Sequence, residues 1–124
     1  MRQMILTDKA PAPIGPYSQA IRCGNLIFAS GQLPLDPKSG ALITGIAEET
    51  RQVFENLKAV LEAAGSSLER ALKVTVFMKD LGQFAEMNKV YATFFRENPP
   101  ARSTIQVAAL PRGVGVEIDI IAEA

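Results

Sequence analysis

The chain has 124 residues, 48% of them hydrophobic, with 13 basic and 13 acidic side chains that cancel to a net charge of zero. This size and composition fit a single globular domain over residues 1–124, and the longest apolar runs fall far short of the roughly 20 residues of a membrane span. Charge balance argues against nucleic acid as a partner; a lone Cys23 and no histidine exclude an intrachain disulfide, a cysteine-based metal cluster and the commonest zinc ligand and neutral-pH base.

At the N-terminus, Asp8 and Lys9 interrupt the sequence before a signal-peptide core forms, which points to a cytoplasmic location. Met4 to Leu6 and Gln19 to Cys23 read as brief strands flanking the Pro- and Gly-rich stretch from Ala10 to Pro16. Gly24-Asn25 marks a hairpin turn into a strand at Leu26 to Ala29, which Ser30-Gly31 closes. Pro34 to Gly40 reads as loop ahead of a short strand near Leu42-Ile43. Val53, Leu57, Val60, Leu61 and Ala64 recur at helical spacing, with Glu48 and Glu49 in the first turn and Gly65 as a stop, predicting a helix from about Ala47 to Ala64.

Ala71 to Lys79 alternates in the manner of a half-buried strand. Asp80 can cap a second helix on which Phe84, Met87, Tyr91 and Phe94 form an apolar ridge, ended by Asn98-Pro99-Pro100. Two final strands follow, Arg102 to Ala109 and Gly115 to Ala122. Alternation puts Arg102, Thr104 and Gln106 on one face of the first, and sets Glu117 and Asp119 opposite Val116, Ile118 and Ile120 in the second. Grouped strands with two helices argue an α+β domain, both helices on one face of a largely antiparallel sheet.

Without histidine, any catalysis runs on carboxylates, Arg, Lys, Tyr, hydroxyls, backbone groups and water. Arg102 could offer a planar fork to a carboxylate while Glu117 orients and deprotonates water; equally, Arg102, Glu117 and Asp119 could be ordinary surface charges. Periodicity alone leaves both open. The same holds for Tyr17 as a packed loop residue, Ser30-Gly31 as turn punctuation and Asn88 as an exposed helix position.

Pro100-Ala101-Arg102-Ser103-Thr104-Ile105, followed by Ala108, Leu110 and Val116-Glu117-Ile118, resembles the C-terminal signature of the Rid (YjgF) family of reactive-intermediate deaminases. The resemblance extends upstream through Gly15-Pro16-Tyr17-Ser18-Gln19, Phe28-Ala29-Ser30-Gly31-Gln32, Glu55-Asn56-Leu57, Lys73-Val74-Thr75-Val76-Phe77 and Asn88-Lys89-Val90-Tyr91. It implies a chorismate-mutase-like α+β fold, a homotrimer with clefts between subunits, and hydrolysis of small 2-imino acids to 2-keto acids and ammonia without a metal or organic cofactor. By position, Arg102 matches the arginine that holds the substrate carboxylate and Glu117 the acid that positions water, with Tyr17, Ser30, Gly31, Asn88 and Thr104 in substrate-binding positions. Active members often carry cysteine where this chain has Thr104, so the resemblance leaves the backbone carbonyl there, and no thiol, to meet the imine. Some relatives are assigned endoribonuclease or translation-inhibitory activity and others have no deaminase activity, which leaves RNA cleavage and non-catalytic binding of small acids as rival readings.

If the last two strands form a simple hairpin with Ala108 opposite Val116, Arg102 and Glu117 stand about five residues apart, or ~16 Å of backbone. That spacing predicts that one small substrate draws its arginine and its glutamate from different chains.

Overall fold

Alternating apolar residues build six strands, β1 (Arg2–Ile5), β2 (Ala20–Cys23), β3 (Leu26–Gln32), β4 (Ala71–Met78), β5 (Ala101–Gln106) and β6 (Val116–Glu123), in the computed structural model, which describes residues 1–124. They join in one sheet of order β1-β2-β3-β6-β4-β5. All neighbours are antiparallel except β4 and β5, which run parallel. The expected hairpin between the last two strands is therefore a misreading. β6 inserts between β3 and β4, while β5 leaves through a short 3₁₀ turn, Pro111–Gly113, and lies at the sheet edge beside β4. A helix separates β4 from β5, and a crossover of that kind returns the chain parallel to its starting strand.

The two helices, α1 (Ile46–Ala63) and α2 (Phe84–Phe94), cover one face of the sheet as expected. The buried stripe of α1, Val53, Phe54, Leu57, Val60 and Leu61, packs with Val74, Val76, Val116, Ile118 and Ile120 in a core cluster of 23 residues. Fully burying one such side chain stabilises the fold by about 1.5–3 kcal/mol. Gly65, at φ +83°, ends α1 in the left-handed conformation that a glycine tolerates, and Ser66 N–H returns to the Leu61 carbonyl. The Asp80 side chain accepts from Gly82 N–H at the 3₁₀ turn that leads into α2. Near Leu42 the predicted strand is reduced to a single bridge with Leu35. No helix is long and apolar enough to cross a membrane.

Two features aim the candidate site residues. β3 does not close at Ser30-Gly31 but continues to Gln32 across a bulge, since Ala29 pairs with Ile120 and Gln32 with Ile118. One extra residue thus fits opposite Asp119, which turns consecutive side chains to the same side. The register of β5 is the second. Arg102 aligns with buried Val74 and Thr104 with buried Val76, so both face the helices, whereas Ser103 and Ile105 face the open side of the sheet.

Candidate active site

The cleft that contains Glu117 has a volume of about 500 Å³ and is walled by Tyr17, Ser30, Gly31, Pro111 and Arg112. β6 supplies Glu117 on the open face, and the β3 bulge brings the Gly31 backbone against it. A Cβ at Gly31 would run into the end of the Glu117 side chain, so glycine lets the carboxylate rest where it does. The Ser30 hydroxyl donates to the Ser18 carbonyl at 2.7 Å and Ser30 N–H to the Gln19 carbonyl at 2.9 Å, which pins the bulge to the segment bearing Tyr17. Burial pushes the Glu117 carboxyl above its ordinary pKa, and the neighbouring Asp119 carboxylate pushes in the same direction. Asp119 is itself raised by burial, an effect that the Thr75 hydroxyl and the Lys73 ammonium partly offset.

The wall of this cleft depends on a residue that periodicity did not single out. Gln19 is buried, and its side-chain carbonyl accepts from Thr7 N–H at 2.7 Å while its amide donates to the carbonyls of Thr7 at 3.0 Å and Pro11 at 2.9 Å. One side chain thereby anchors the Pro-rich segment over the cleft. Asn56 acts similarly, donating from α1 to the carbonyls of Leu33 and Leu35 just beyond the bulge. A glutamine amid proline and glycine gives no periodic signal, and only its partners reveal its part. Arg112 lines the cleft too, with a left-handed backbone at φ +59°.

Arg102 lies elsewhere. Its Nη1 donates to Asn88 Oδ1 at 2.7 Å, and the guanidinium carbon sits 4.5 Å from the centre of the Tyr91 ring and 5.4 Å from that of Phe84. Each such ring–cation contact contributes about 0.5–2 kcal/mol, more as water is excluded. Thr104, on the same face of β5, has a buried hydroxyl with no hydrogen-bond partner, as does Tyr91. Burial raises the Tyr91 pKa, and the nearby positive charge of Arg102 counters that rise.

Seven expected site residues thus fall into two groups: Tyr17, Ser30, Gly31 and Glu117 around one cleft, Asn88, Arg102 and Thr104 between α2 and β5. Arg102 aligns with Val74 and Glu117 with Phe77, three residues apart along β4 and on strands to either side of it. At ~3.3 Å per residue and ~4.8 Å per strand, their backbones stand about 14 Å apart. Their side chains also leave on opposite faces of the sheet, because Val74 faces the helices and Phe77 does not. Separation by face replaces the hairpin arithmetic.

The family model described as Endoribonuclease L-PSP matches residues 7–124 of the chain. A RutC family protein of Pyrococcus horikoshii is 54% identical over 123 residues, covering 98% of each chain. The chain belongs to the Rid (YjgF) family. Among its Rid relatives, the 2-iminobutanoate/2-iminopropanoate deaminase of Mus musculus is 48% identical over 123 residues, covering 98% of this chain and 91% of the other. RidA from an Antarctic Psychrobacter superposes with a TM-score of 0.96 at 48% identity, covering 98% of this chain and 99% of that one. E. coli TdcF, solved with bound serine, superposes at 0.95 with 42% identity and 98% coverage of each chain. The Rid fold, two helices on a six-stranded and mostly antiparallel sheet, is thus the expected chorismate-mutase-like α+β arrangement.

Proposed function

We propose that this Rid protein hydrolyses short 2-imino acids, such as 2-iminopropionate and 2-iminobutyrate, to 2-keto acids and ammonia. The observation that carries the reading is the pair of half-sites: a guanidinium hydrogen-bonded to the neutral Asn88 amide, and a half-buried carboxylate with a raised pKa against the Gly31 backbone. The mouse relative's name points to the same chemistry, and the serine in TdcF to a pocket sized for a small amino or imino acid. In this mechanism Arg102 grips the substrate carboxylate through two parallel bonds and fixes the imine carbon in place. Glu117 takes a proton from water as the oxygen attacks the carbon of the protonated imine, giving a neutral carbinolamine. It returns that proton to nitrogen and, as the C–N bond breaks to release ammonia, takes the remaining hydroxyl proton so that the carbonyl forms.

Half-sites on opposite faces of one chain cannot close on a three- or four-carbon substrate, so the proposal includes a second copy. Apolar side chains on the sheet face away from the helices favour this. Phe28 and Ile105 are 43% and 44% exposed there, alongside Ile21, Phe77 and Ile121. A closed homotrimer that covers this face and sets the Arg102 of one chain against the Glu117 of the next completes the cleft.

The family model's description favours endoribonuclease activity as the second reading. With no histidine and zero net charge, the chain offers little to bind and cleave RNA. The experiment generates 2-iminobutyrate with a threonine dehydratase in the presence of semicarbazide. Faster release of 2-oxobutyrate, at the expense of the trapped imine, is the expected result; an unchanged partition overturns the deaminase reading.

A further inference from the structure

Phe84, Asn88 and Tyr91 stand four and three residues apart on α2, the spacing that stacks side chains on one helix face. All three touch the same group, the Arg102 guanidinium, with the two rings against it and the Asn88 amide oxygen on Nη1. None of the three carries a charge that cancels that of Arg102. No carboxylate pairs with it either, the ion pairs of the chain being Arg51 with Glu48 and Arg70 with Glu123. A carboxylate would hold the arginine strongly, but the price of that grip is the charge it would otherwise lend to a ligand.

We propose that the Phe84–Asn88–Tyr91 ridge is a charge-preserving cradle: it fixes the orientation of the Arg102 fork through neutral contacts alone, so that the full positive charge remains for an incoming carboxylate. The inference rests on the deaminase reading for the identity of the ligand. Phe84 and Tyr91 are positioning residues in it, acting through Arg102. Ring faces attract the cation by their quadrupole without neutralising it, and the Asn88 amide oxygen accepts an N–H while neutral, where a carboxylate would close an ion pair. Tyr91 contributes its ring, whose centre lies 4.5 Å from the guanidinium carbon.

The sharpest test is Asn88→Asp, which keeps the shape of the cradle and adds one negative charge. Binding of 2-oxobutyrate, followed by calorimetry, should weaken about tenfold or more, and KM for 2-iminobutyrate should rise in step, while thermal stability holds or increases through the new ion pair. Phe84→Leu, an apolar change at a half-buried position, should raise KM about three- to tenfold with a smaller effect on kcat. Tyr91→Phe should recover most of the affinity that Tyr91→Leu loses, and Phe84→Leu still decides the matter if Tyr91→Leu does not fold. A folded Asn88→Asp protein that binds 2-oxobutyrate as tightly as the wild type overturns the cradle, and so does a Tyr91→Phe protein as weak as Tyr91→Leu. If the wild type binds 2-oxobutyrate, responds to Asn88→Asp and yet hydrolyses no imine, the deaminase reading fails and the cradle stands. If the wild type does neither, both fail together.

Discussion

Arg102 is half-buried, stacked and hydrogen-bonded, so its replacement tests more than a surface charge. Loss of a charge-assisted fork should lower kcat/KM for 2-iminobutyrate about 100-fold in Arg102→Ala. Arg102→Lys should lose much of the activity too, because a point charge neither stacks on Tyr91 nor forms two parallel bonds. Thr104→Ala removes a hydroxyl that has no partner, so steady-state kinetics should show a far smaller change than in Arg102→Ala; an equal loss assigns the side chain a direct role. For Glu117 the sign follows from its raised pKa. The carboxylate must be ionised to act as base, so kcat/KM should fall on the acid side at a pH above the ordinary carboxylate range, and Glu117→Gln should abolish both the activity and that limb. A carboxyl with a raised folded-state pKa stabilises the fold below its unfolded value and loses that contribution as pH rises through the folded value. Thermal melts of Glu117→Gln at neutral pH should therefore match or exceed the wild type.

At the scale of elements, the bulge that carries Ser30 and Gly31 is where a small change should have a local effect. Gly31→Ala would put a methyl group into the Glu117 carboxylate, whose end can swing aside. The expected outcome is a folded protein with kcat reduced about tenfold or more, the loss tracking displacement of the base; near-wild-type kcat argues against Glu117. Helices and strands were largely legible in the sequence because α1 and β4 each bury one periodic face: Val53, Leu57 and Val60 in one, Val74, Val76 and Met78 in the other. Strand pairing was not. Periodicity states which residues share a face but not which strand lies alongside, and proximity in sequence favoured a hairpin where α2 between β4 and β5 dictates a parallel crossover. The facing of β5 was equally obscure, since Arg102 and Thr104 alternate with Ser103 and Ile105 and no apolar stripe marks the inside. Family resemblance supplied the candidate residues. It did not show that they divide between two faces, nor that the apolar ridge of α2 doubles as the support for an arginine.

For the whole molecule, the proposed shared site makes assembly a condition for the proposed activity. Mixing Arg102→Ala and Glu117→Ala proteins under conditions that exchange subunits should regenerate some complete sites and restore part of the deaminase rate. Verified exchange with no recovery sinks the shared site. Phe28→Glu, on the open face, should lower the mass in sedimentation from that of the proposed trimer and take activity with it. The half-sites also differ in how much of the chain they need. Phe84, Asn88 and Tyr91, which touch the Arg102 guanidinium, all lie on α2, directly before β5, whereas the Glu117 cleft gathers residues from Pro11 through Glu117 and hangs on the hydrogen bonds of Gln19. Loosening the N-terminal segment should therefore leave the arginine end undisturbed. In Gln19→Ala, backbone amides from Thr7 to Tyr17 should exchange with deuterium much faster while those of β5 keep their protection, so that the protein opens the Glu117 cleft without releasing its grip on the guanidinium.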